Sequence, residues 1–206
     1  SRRSSIQEKT GVHDMRIFSH LSTKTLTNEY VVSDENNNAI IIDPSAADNP
    51  IITIIEDHKL TIKGYLITHN HQDQIAGFGT FQKIYPAPVF ASDYTISEYK
   101  TIPLRDRDKI KIGELEITAY SCAGHSNDSM VFKIGSAIFT GDTLYAGTIA
   151  DTASNFDKEL LLKNIREKIL SQSANTLIFP ARGPLSKVRI ERIFNIDLLE
   201  SDATYL

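Results

Sequence analysis

The chain has 206 residues, 41% of them hydrophobic, which is enough to bury one substantial core but short for two full domains. Its 22 basic and 26 acidic side chains leave a formal net charge of −4, so the charge balance gives no sign of a nucleic-acid or anionic-membrane partner. No apolar run approaches the roughly 18 residues that span a bilayer, and we therefore expect a cytoplasmic protein without a membrane segment.

The amino-terminal part of the chain is polar and aperiodic up to residue 14, and the first apolar pattern begins at Met15. We interpret residues 1–14 as a flexible leader or tag remnant and residues 15–206 as a single domain. Strands are predicted at 15–20, 29–33 and 39–43, and a turn-forming Glu-Asn-Asn-Asn segment separates the last two. This pattern predicts a β-meander.

Strand and helix patterns then alternate along the chain. Asn49-Pro50 favours the start of a helix that continues to about residue 59, and the β-branched segment 64–68 predicts a buried strand before a helix at 75–84. The remaining patterns predict strands at 109–112, 114–121, 129–134, 137–140 and 176–180, and helices at 157–170 and 187–199. The order is typical of an α/β protein with two sheets between helical layers.

Two histidines and an aspartate, His69, His71 and Asp73, lie within five residues directly after the predicted strand 64–68. Imidazole is a favoured ligand of zinc and iron, and the carboxyl end of a strand is where α/β folds usually place ligands. The segment therefore indicates a metal site.

Three later segments also follow or end a predicted strand. They are Ala123-Gly124-His125-Ser126, Phe139-Thr140-Gly141-Asp142-Thr143 and Phe179-Pro180-Ala181-Arg182-Gly183-Pro184. With the histidine segment, their order and flanking residues resemble the metallo-β-lactamase fold superfamily, in particular its single-domain glyoxalase II-like hydrolases, over about residues 15–199. The resemblance implies an αββα sandwich of two mixed β-sheets flanked by helices.

The resemblance also implies a set of metal ligands. The family segment T-H-x-H-x-D-H-x-x-G matches this chain except that Gln74 replaces the last histidine, and Arg182 replaces the histidine of a P-G-H-G-P motif. The first of two family metal sites would keep four ligands, which are His69, His71, His125 and Asp142. The second site would lose both of its histidines.

Arginine cannot ligate a metal, because its guanidinium has only donors and stays protonated. We therefore hypothesise that the second metal is absent and that Arg182 takes its electrostatic place by pairing with Asp73 and with Asp142. One divalent ion is expected, with zinc preferred and iron as the alternative. Asp73 and Arg182 are predicted to be catalytic, Asp73 by orienting or deprotonating a water and Arg182 by stabilising an oxyanion or an anionic substrate group.

The resemblance implies hydrolysis of a small-molecule ester or thioester. Two alternatives stay open: a noncatalytic or merely metal-binding relative of the fold, and a mononuclear iron enzyme that oxidises a persulfide through His69, His125 and Asp142. Nucleic-acid processing is not expected, because the chain is acidic and lacks an aromatic and basic cluster.

Other candidate residues have simpler interpretations. Cys122, the only cysteine, is either a reactive thiol or, as we favour, a small buried hydrophobe. His13, His20 and His58 are interpreted as surface or packing histidines. Asp43 has two interpretations. It orients the segment that carries His69, His71 and Asp73, called the metal segment below, as a similar residue does in the family, or it forms a turn.

Overall fold

In the computed structural model, the described residues are 5–7 and 15–203, with side chains described over 15–201. The predicted strand 15–20 is present as Arg16–Leu21, and it pairs with a short strand at Ser5–Gln7. The other residues of the predicted leader, His13 among them, lie outside the described residues.

Among the described residues, the first sheet contains seven strands. In chain order these are β1 (Ser5–Gln7), β2 (Arg16–Leu21), β3 (Asn28–Ser33), β4 (Asn38–Ile42), β5 (Thr61–Leu66), β6 (Val89–Ala91) and β9 (Ile102–Pro103), and they are neighbours in the same order. Strands β2, β3 and β4 are antiparallel, which confirms the predicted meander, whereas β4, β5, β6 and β9 run parallel. The sheet is therefore mixed. A separate hairpin joins β7 (Thr95–Ile96) to β8 (Tyr99–Lys100).

The second sheet contains six strands. They are β10 (Lys109–Ile112), β11 (Leu115–Ser121), β12 (Met130–Ile134), β13 (Ala137–Gly141), β14 (Leu177–Pro180) and β15 (Ser186–Lys187), again neighbours in chain order. In the part of the chain that the structure describes, β13 and β14 are the one parallel pair of this sheet. The five strands predicted for this part of the chain are present within one residue at each end.

The helices form the outer layers. They are α1 (Asn49–Asp57), α2 (Gln72–Ile75), α3 (Phe78–Ile84), α4 (Asn155–Asn164), which continues as a π-helix at Ile165–Ile169, α5 (Val188–Phe194) and α6 (Ile196–Ala203). Within the described ranges, no helix combines the length and the apolar character needed to cross a membrane.

Two predicted helices are each divided in the structure. Most of the helix predicted at 75–84 is α3, while Ile75 is the last residue of α2; the break between them is around Gly77, where an added Cβ would lie 2.5–2.7 Å from the backbone of Ala46 and Ala47. The helix predicted at 187–199 is separated into α5 and α6 by Asn195, whose ψ of 115° is extended rather than helical. Periodicity misses both breaks because the apolar spacing continues across them.

The core explains why the sheets lie face to face. In β4, Ile40 and Ile42 lie in the apolar core between the two sheets, while Ala39 and Ile41 lie in a core shared with α1 and α3. In the second sheet, Val131 contributes to a third core formed with α4 and α6. Alternate residues of each sheet therefore bury opposite faces, which gives the αββα sandwich that the sequence predicts.

Candidate metal centre

Four side chains from three distant parts of the chain converge at one end of the sandwich. They are His69 and His71 after β5, His125 between β11 and β12, and Asp142 directly after β13, and their ligand atoms all lie within 4.8 Å of one another. The Nδ1 atom of His71 is 3.3 Å from Nε2 of His125, and Asp142 Oδ2 is 3.6 Å from Nε2 of His69. The metal ligands predicted from the sequence thus share one site.

The protonation of His69 follows from its neighbours. The hydroxyl of Thr68 donates to Asp43 Oδ2 at 2.8 Å, and the hydroxyl oxygen of Thr68 lies 3.2 Å from Nδ1 of His69. Because the hydroxyl has only one proton, it accepts from Nδ1–H, and the lone pair of His69 is left on Nε2. This atom is buried without a hydrogen-bond partner and lies within the donor cluster.

His125 has the same tautomer for a different reason. Its Nδ1 atom lies 2.9 Å from the backbone carbonyl of Asp151, which can only accept a hydrogen bond. Nδ1 is therefore protonated and Nε2 carries the lone pair that points at the other donors. Backbone carbonyls commonly fix metal-binding histidines in this way.

Burial keeps His69 neutral. It lowers the pKa of this imidazole to about 4, and the nearby carboxylate of Asp142 only partly opposes the effect. A buried neutral imidazole with an unpaired nitrogen, together with two further imidazoles and a carboxylate, is a donor set that suits a zinc or iron ion. The residues present therefore fit the divalent metal that the sequence implies.

The segment that carries His69 is anchored to the first sheet by Asp43. Its carboxylate accepts from the backbone N–H and the hydroxyl of Thr68, each at 2.8 Å. Burial raises the pKa of Asp43 to about 7, and these two hydrogen bonds oppose the rise, so the carboxylate is the acceptor above that pH. Asp43 therefore orients the metal segment, the first of the two interpretations of the sequence.

Gly141 allows β13 to approach this segment. Its φ is +52°, in the left-handed region, and an added Cβ would lie 2.4 Å from the hydroxyl oxygen of Thr68. A side chain at this position would be strained and would push the metal segment away from Asp142. The glycine before the aspartate is thus required by close packing.

The side of Asp142 that faces away from the histidines is occupied by Gln74 and Arg182. The Nε2 atom of Gln74 lies 3.4 Å from Asp142 Oδ1, and Nε of Arg182 lies 3.4 Å from the same oxygen. The guanidinium also forms a hydrogen-bonded ion pair with Asp73. Burial disfavours the charged form of Arg182, but the two carboxylates outweigh it and raise the pKa of the guanidinium above its ordinary value.

The comparisons with known proteins agree with this geometry. The sequence model of the metallo-beta-lactamase superfamily matches residues 23–181, which is most of the chain. The chain belongs to the metallo-beta-lactamase superfamily. The match includes every residue of the candidate site except Arg182, which follows it directly.

One similar superfamily member is the hydroxyacylglutathione hydrolase of Tolumonas auensis. It is 27% identical over 151 residues, which are 71% of this chain and 58% of that enzyme. The chain thus spans less than two thirds of the relative's length.

Two solved structures show the same superfamily fold. ETHE1 from Myxococcus xanthus superimposes with a TM-score of 0.80 at 22% identity, covering 87% of this chain and 83% of that one. The B3 metallo-beta-lactamase BLEG-1 superimposes with a TM-score of 0.78 at 24% identity, covering 88% and 99% respectively. At these identities the likeness concerns the fold alone.

Tyr145 and Asp128 belong to the surroundings of the site but were not selected from the sequence. The phenol of Tyr145 interacts with Asp142 and Arg182, and burial together with Asp142 raises its pKa. Asp128 accepts a hydrogen bond from the backbone N–H of Asn70 at 2.7 Å and so holds the metal segment from the second sheet. In the sequence, the one feature that could have pointed to Asp128 is its position three residues after His125.

The thiol of Cys122, in contrast, is buried and is not reactive. The thiol is fully buried in the core beneath α4, and burial raises its pKa to about 12. A thiol with that pKa is not a nucleophile at neutral pH. The interpretation as a small buried hydrophobe is therefore confirmed.

Proposed function

We propose that the protein hydrolyses a small-molecule ester or thioester with one divalent metal ion held by His69, His71, His125 and Asp142. The observation that carries this proposal is the asymmetry around Asp142. Three imidazoles, among them that of His69 with its unpartnered Nε2, lie on one side of the carboxylate, and a guanidinium lies on the other. This arrangement supports one cation site and disfavours a second, because a fixed positive charge already lies there.

A divalent ion on three imidazoles supplies a nucleophilic water at neutral pH, by lowering the water pKa from 15.7 to about 7, and polarises an acyl carbonyl. In hydrolysis, the oxygen of water bonds to the acyl carbon, the C–S or C–O bond breaks, and the proton passes to the departing thiolate or alkoxide. The products are a carboxylic acid and a thiol or an alcohol.

Asp73 is the proposed acceptor of the proton from water. It lies in the first turn of α2, two residues after His71, and its side chain is 35% exposed, so a water molecule can reach its carboxylate. The ion pair of Arg182 with Oδ2 of Asp73 fixes the orientation of the carboxylate. General-base catalysis of this kind contributes about 10²–10⁴-fold.

Arg182 is proposed to bind the negative charge that develops on the acyl oxygen, or an anionic group of the substrate. Its side chain is 38% exposed beside Asp142 and His71 is exposed, so this side of the cluster is open to a small molecule. A guanidinium is suited to this because its donors are fixed in a plane and it keeps its charge at every physiological pH.

The relative from Tolumonas auensis supports the reaction class, since its name is hydroxyacylglutathione hydrolase. The alignment covers only 58% of that enzyme, so the proposal concerns the thioester class and not glutathione recognition.

The experiment is a hydrolysis assay of the zinc-loaded and the iron-loaded protein with a panel of small thioesters and esters. Activity should fall at least about 100-fold in His125→Gln and in Asp73→Asn. His58→Gln is the matched control, because His58 follows α1 and contacts Phe18 rather than the site. It should retain full activity.

Two results would contradict the proposal. A metal-loaded protein that cleaves no member of the panel would favour the noncatalytic relative. Consumption of oxygen with a persulfide substrate by the iron-loaded protein, without thioester cleavage, would favour the oxidative alternative.

A further inference from the structure

A second group of metal-ligating side chains lies outside the site described above. His20, Glu29 and Asp48 place one imidazole nitrogen and two carboxylate oxygens within 4.8 Å of one another. No recognised sequence motif connects these three residues, and His20 is predicted to be a surface or packing histidine.

The fold brings these residues together from three elements. His20 on β2 and Glu29 on β3 are direct partners in the antiparallel register, so their side chains project from the same face of the first sheet. Asp48 is the N-cap of α1, the helix that covers this face, and its carboxylate accepts from the backbone N–H of Ile51. The cluster therefore lies where α1 joins the meander.

The carboxylate of Glu29 is only half satisfied. The side chain is fully buried, and Oε2 accepts a hydrogen bond from the backbone N–H of Ala46 at 3.1 Å. Oε1 has no hydrogen-bond partner and lies 3.8 Å from Nε2 of His20. A buried carboxylate oxygen in a native protein normally has a donor or a cation, so this atom indicates a missing ligand.

The charges around Glu29 favour a cation. Asp48 and Asp43 are both close enough to act on it, and burial together with these negative neighbours raises the pKa of Glu29 well above its ordinary range. Nε2 of His20 is hydrogen-bonded to the carboxylate of Asp48 at 3.0 Å, a contact that a bound ion would replace, and this imidazole is the basic group that faces both carboxylates among the described residues. The charges of the two carboxylates balance that of a divalent ion, and the neutral imidazole adds a ligand without adding charge.

We propose that His20 Nε2, Glu29 Oε1 and the carboxylate of Asp48 bind a second divalent transition-metal ion, with a structural role. The separations of 3.0 and 3.8 Å between the imidazole nitrogen and the two carboxylates are those of neighbouring ligands around one ion. The imidazole favours zinc or iron over calcium and magnesium. The ion links β2, β3 and the start of α1, and water completes its coordination because the Asp48 side chain is 28% exposed.

The test uses zinc alone as the probe. The full chain is stripped with a chelator, refilled with zinc, and analysed for the number of bound ions and their affinities by calorimetry and elemental analysis. His20→Gln and Asp48→Asn should each bind one zinc ion fewer than the wild type, or bind it at least about tenfold more weakly. His58→Gln is the matched control and should bind as the wild type does.

Asp48→Asn protects the test against a folding artefact, because asparagine is as good a helix N-cap as aspartate and α1 keeps its start. A second readout is thermal stability: zinc should raise the Tm of His125→Gln, in which the first site is damaged, and should raise it much less in His125→Gln/His20→Gln.

Identical zinc binding by the wild type, His20→Gln and Asp48→Asn would overturn the inference. Failure of the hydrolase proposal is distinguishable, because the first site is lost in His125→Gln while the zinc ion that depends on His20 remains.

Discussion

Nε of Arg182 lies 3.4 Å from Oδ1 of Asp142, the same oxygen that Gln74 approaches at 3.4 Å. A cation and an amide thus occupy the side of the carboxylate where, by the family resemblance, a second metal would be bound by two histidines. The chain thus differs from the family motif at both positions, and the contacts of Arg182 with Asp73 and Asp142 spare the fold two unpaired negative charges.

The paired change can be reversed by mutation. We expect the double variant Gln74→His/Arg182→His to bind one metal ion more at the Asp142 cluster than its parent, because it replaces a guanidinium and an amide by two imidazole ligands next to Asp73. Elemental analysis should be done in a His20→Gln background, so that only this cluster is counted. The single variant Gln74→His keeps the guanidinium and serves as the control. An unchanged ion count in the double variant would contradict this prediction.

Removal of Arg182 should destabilise the metal-free protein. In Arg182→Ala the carboxylate of Asp142, whose side chain is 4% exposed, loses its cation. We expect the free energy of unfolding to fall by about 1–3 kcal/mol, less than for a fully buried pair because the guanidinium is partly solvated. Urea denaturation in the presence of a chelator measures the change.

Arg107→Ala provides the matched control for this measurement. Arg107 pairs with Asp106 on the surface and its side chain is 76% exposed, so its removal should change the free energy of unfolding by less than about 0.5 kcal/mol. Equal effects of the two substitutions would mean that Arg182 is only a surface charge.

Thr68 should affect metal binding without being a ligand. Thr68→Val removes the hydroxyl that donates to Asp43 and accepts from Nδ1–H of His69, so the imidazole loses its fixed tautomer and orientation. We expect the affinity for zinc at this cluster to fall about 10–100-fold, measured by competition with a chromophoric chelator. Thr61→Val, at the exposed start of β5, the strand that precedes Thr68, should leave the affinity unchanged. An unaltered affinity in Thr68→Val would show that the hydroxyl does not set the tautomer.

Asp34 should contribute a pH-dependent part of the stability. Its carboxylate is buried and accepts from the backbone N–H groups of Asn36, Asn38 and Glu114, and although burial opposes ionisation, these hydrogen bonds lower its pKa below the ordinary 3.8. A carboxyl group with a lower pKa in the folded state stabilises the fold above its unfolded pKa, and this stabilisation is lost as the pH falls through the folded value.

Asp34→Asn should therefore reduce the free energy of unfolding by about 1–3 kcal/mol at pH 7, and the difference from the wild type should narrow below pH 3.8. Urea denaturation at a series of pH values measures it. Glu116→Gln, at an exposed position of β11, is the control. A difference that stays constant down to the lowest pH at which both proteins fold would contradict the assignment.

Local sequence patterns predict most elements of this fold because the sheets bury both faces. Strand β4 reads as an apolar run, and its alternate residues contact different cores, so the strand is predicted from composition alone. The divisions at Gly77 and Asn195 were missed because they depend on tertiary contacts and backbone angles that leave the apolar periodicity intact.

The two proposed metal sites also differ in how far they can be predicted from the sequence. His69, His71, His125 and Asp142 stand in ordered motifs, so a family resemblance identifies them before the structure is known. His20, Glu29 and Asp48 become neighbours through strand register and the docking of α1, and no short sequence pattern encodes that meeting. Tyr145 is likewise recognised only by its contact with Asp142 and Arg182.

The most direct test of the central claim is an anomalous scattering map from crystals of the zinc-loaded protein. At the Asp142 cluster the account predicts a single zinc peak, in contact with Nε2 of His69, Nδ1 of His71, Nε2 of His125 and the carboxylate of Asp142, with Arg182 still paired to Asp73. A peak at His20, Glu29 and Asp48 would belong to the separate site proposed above. Two zinc peaks bridged by Asp142, with the guanidinium displaced from the site, would contradict it.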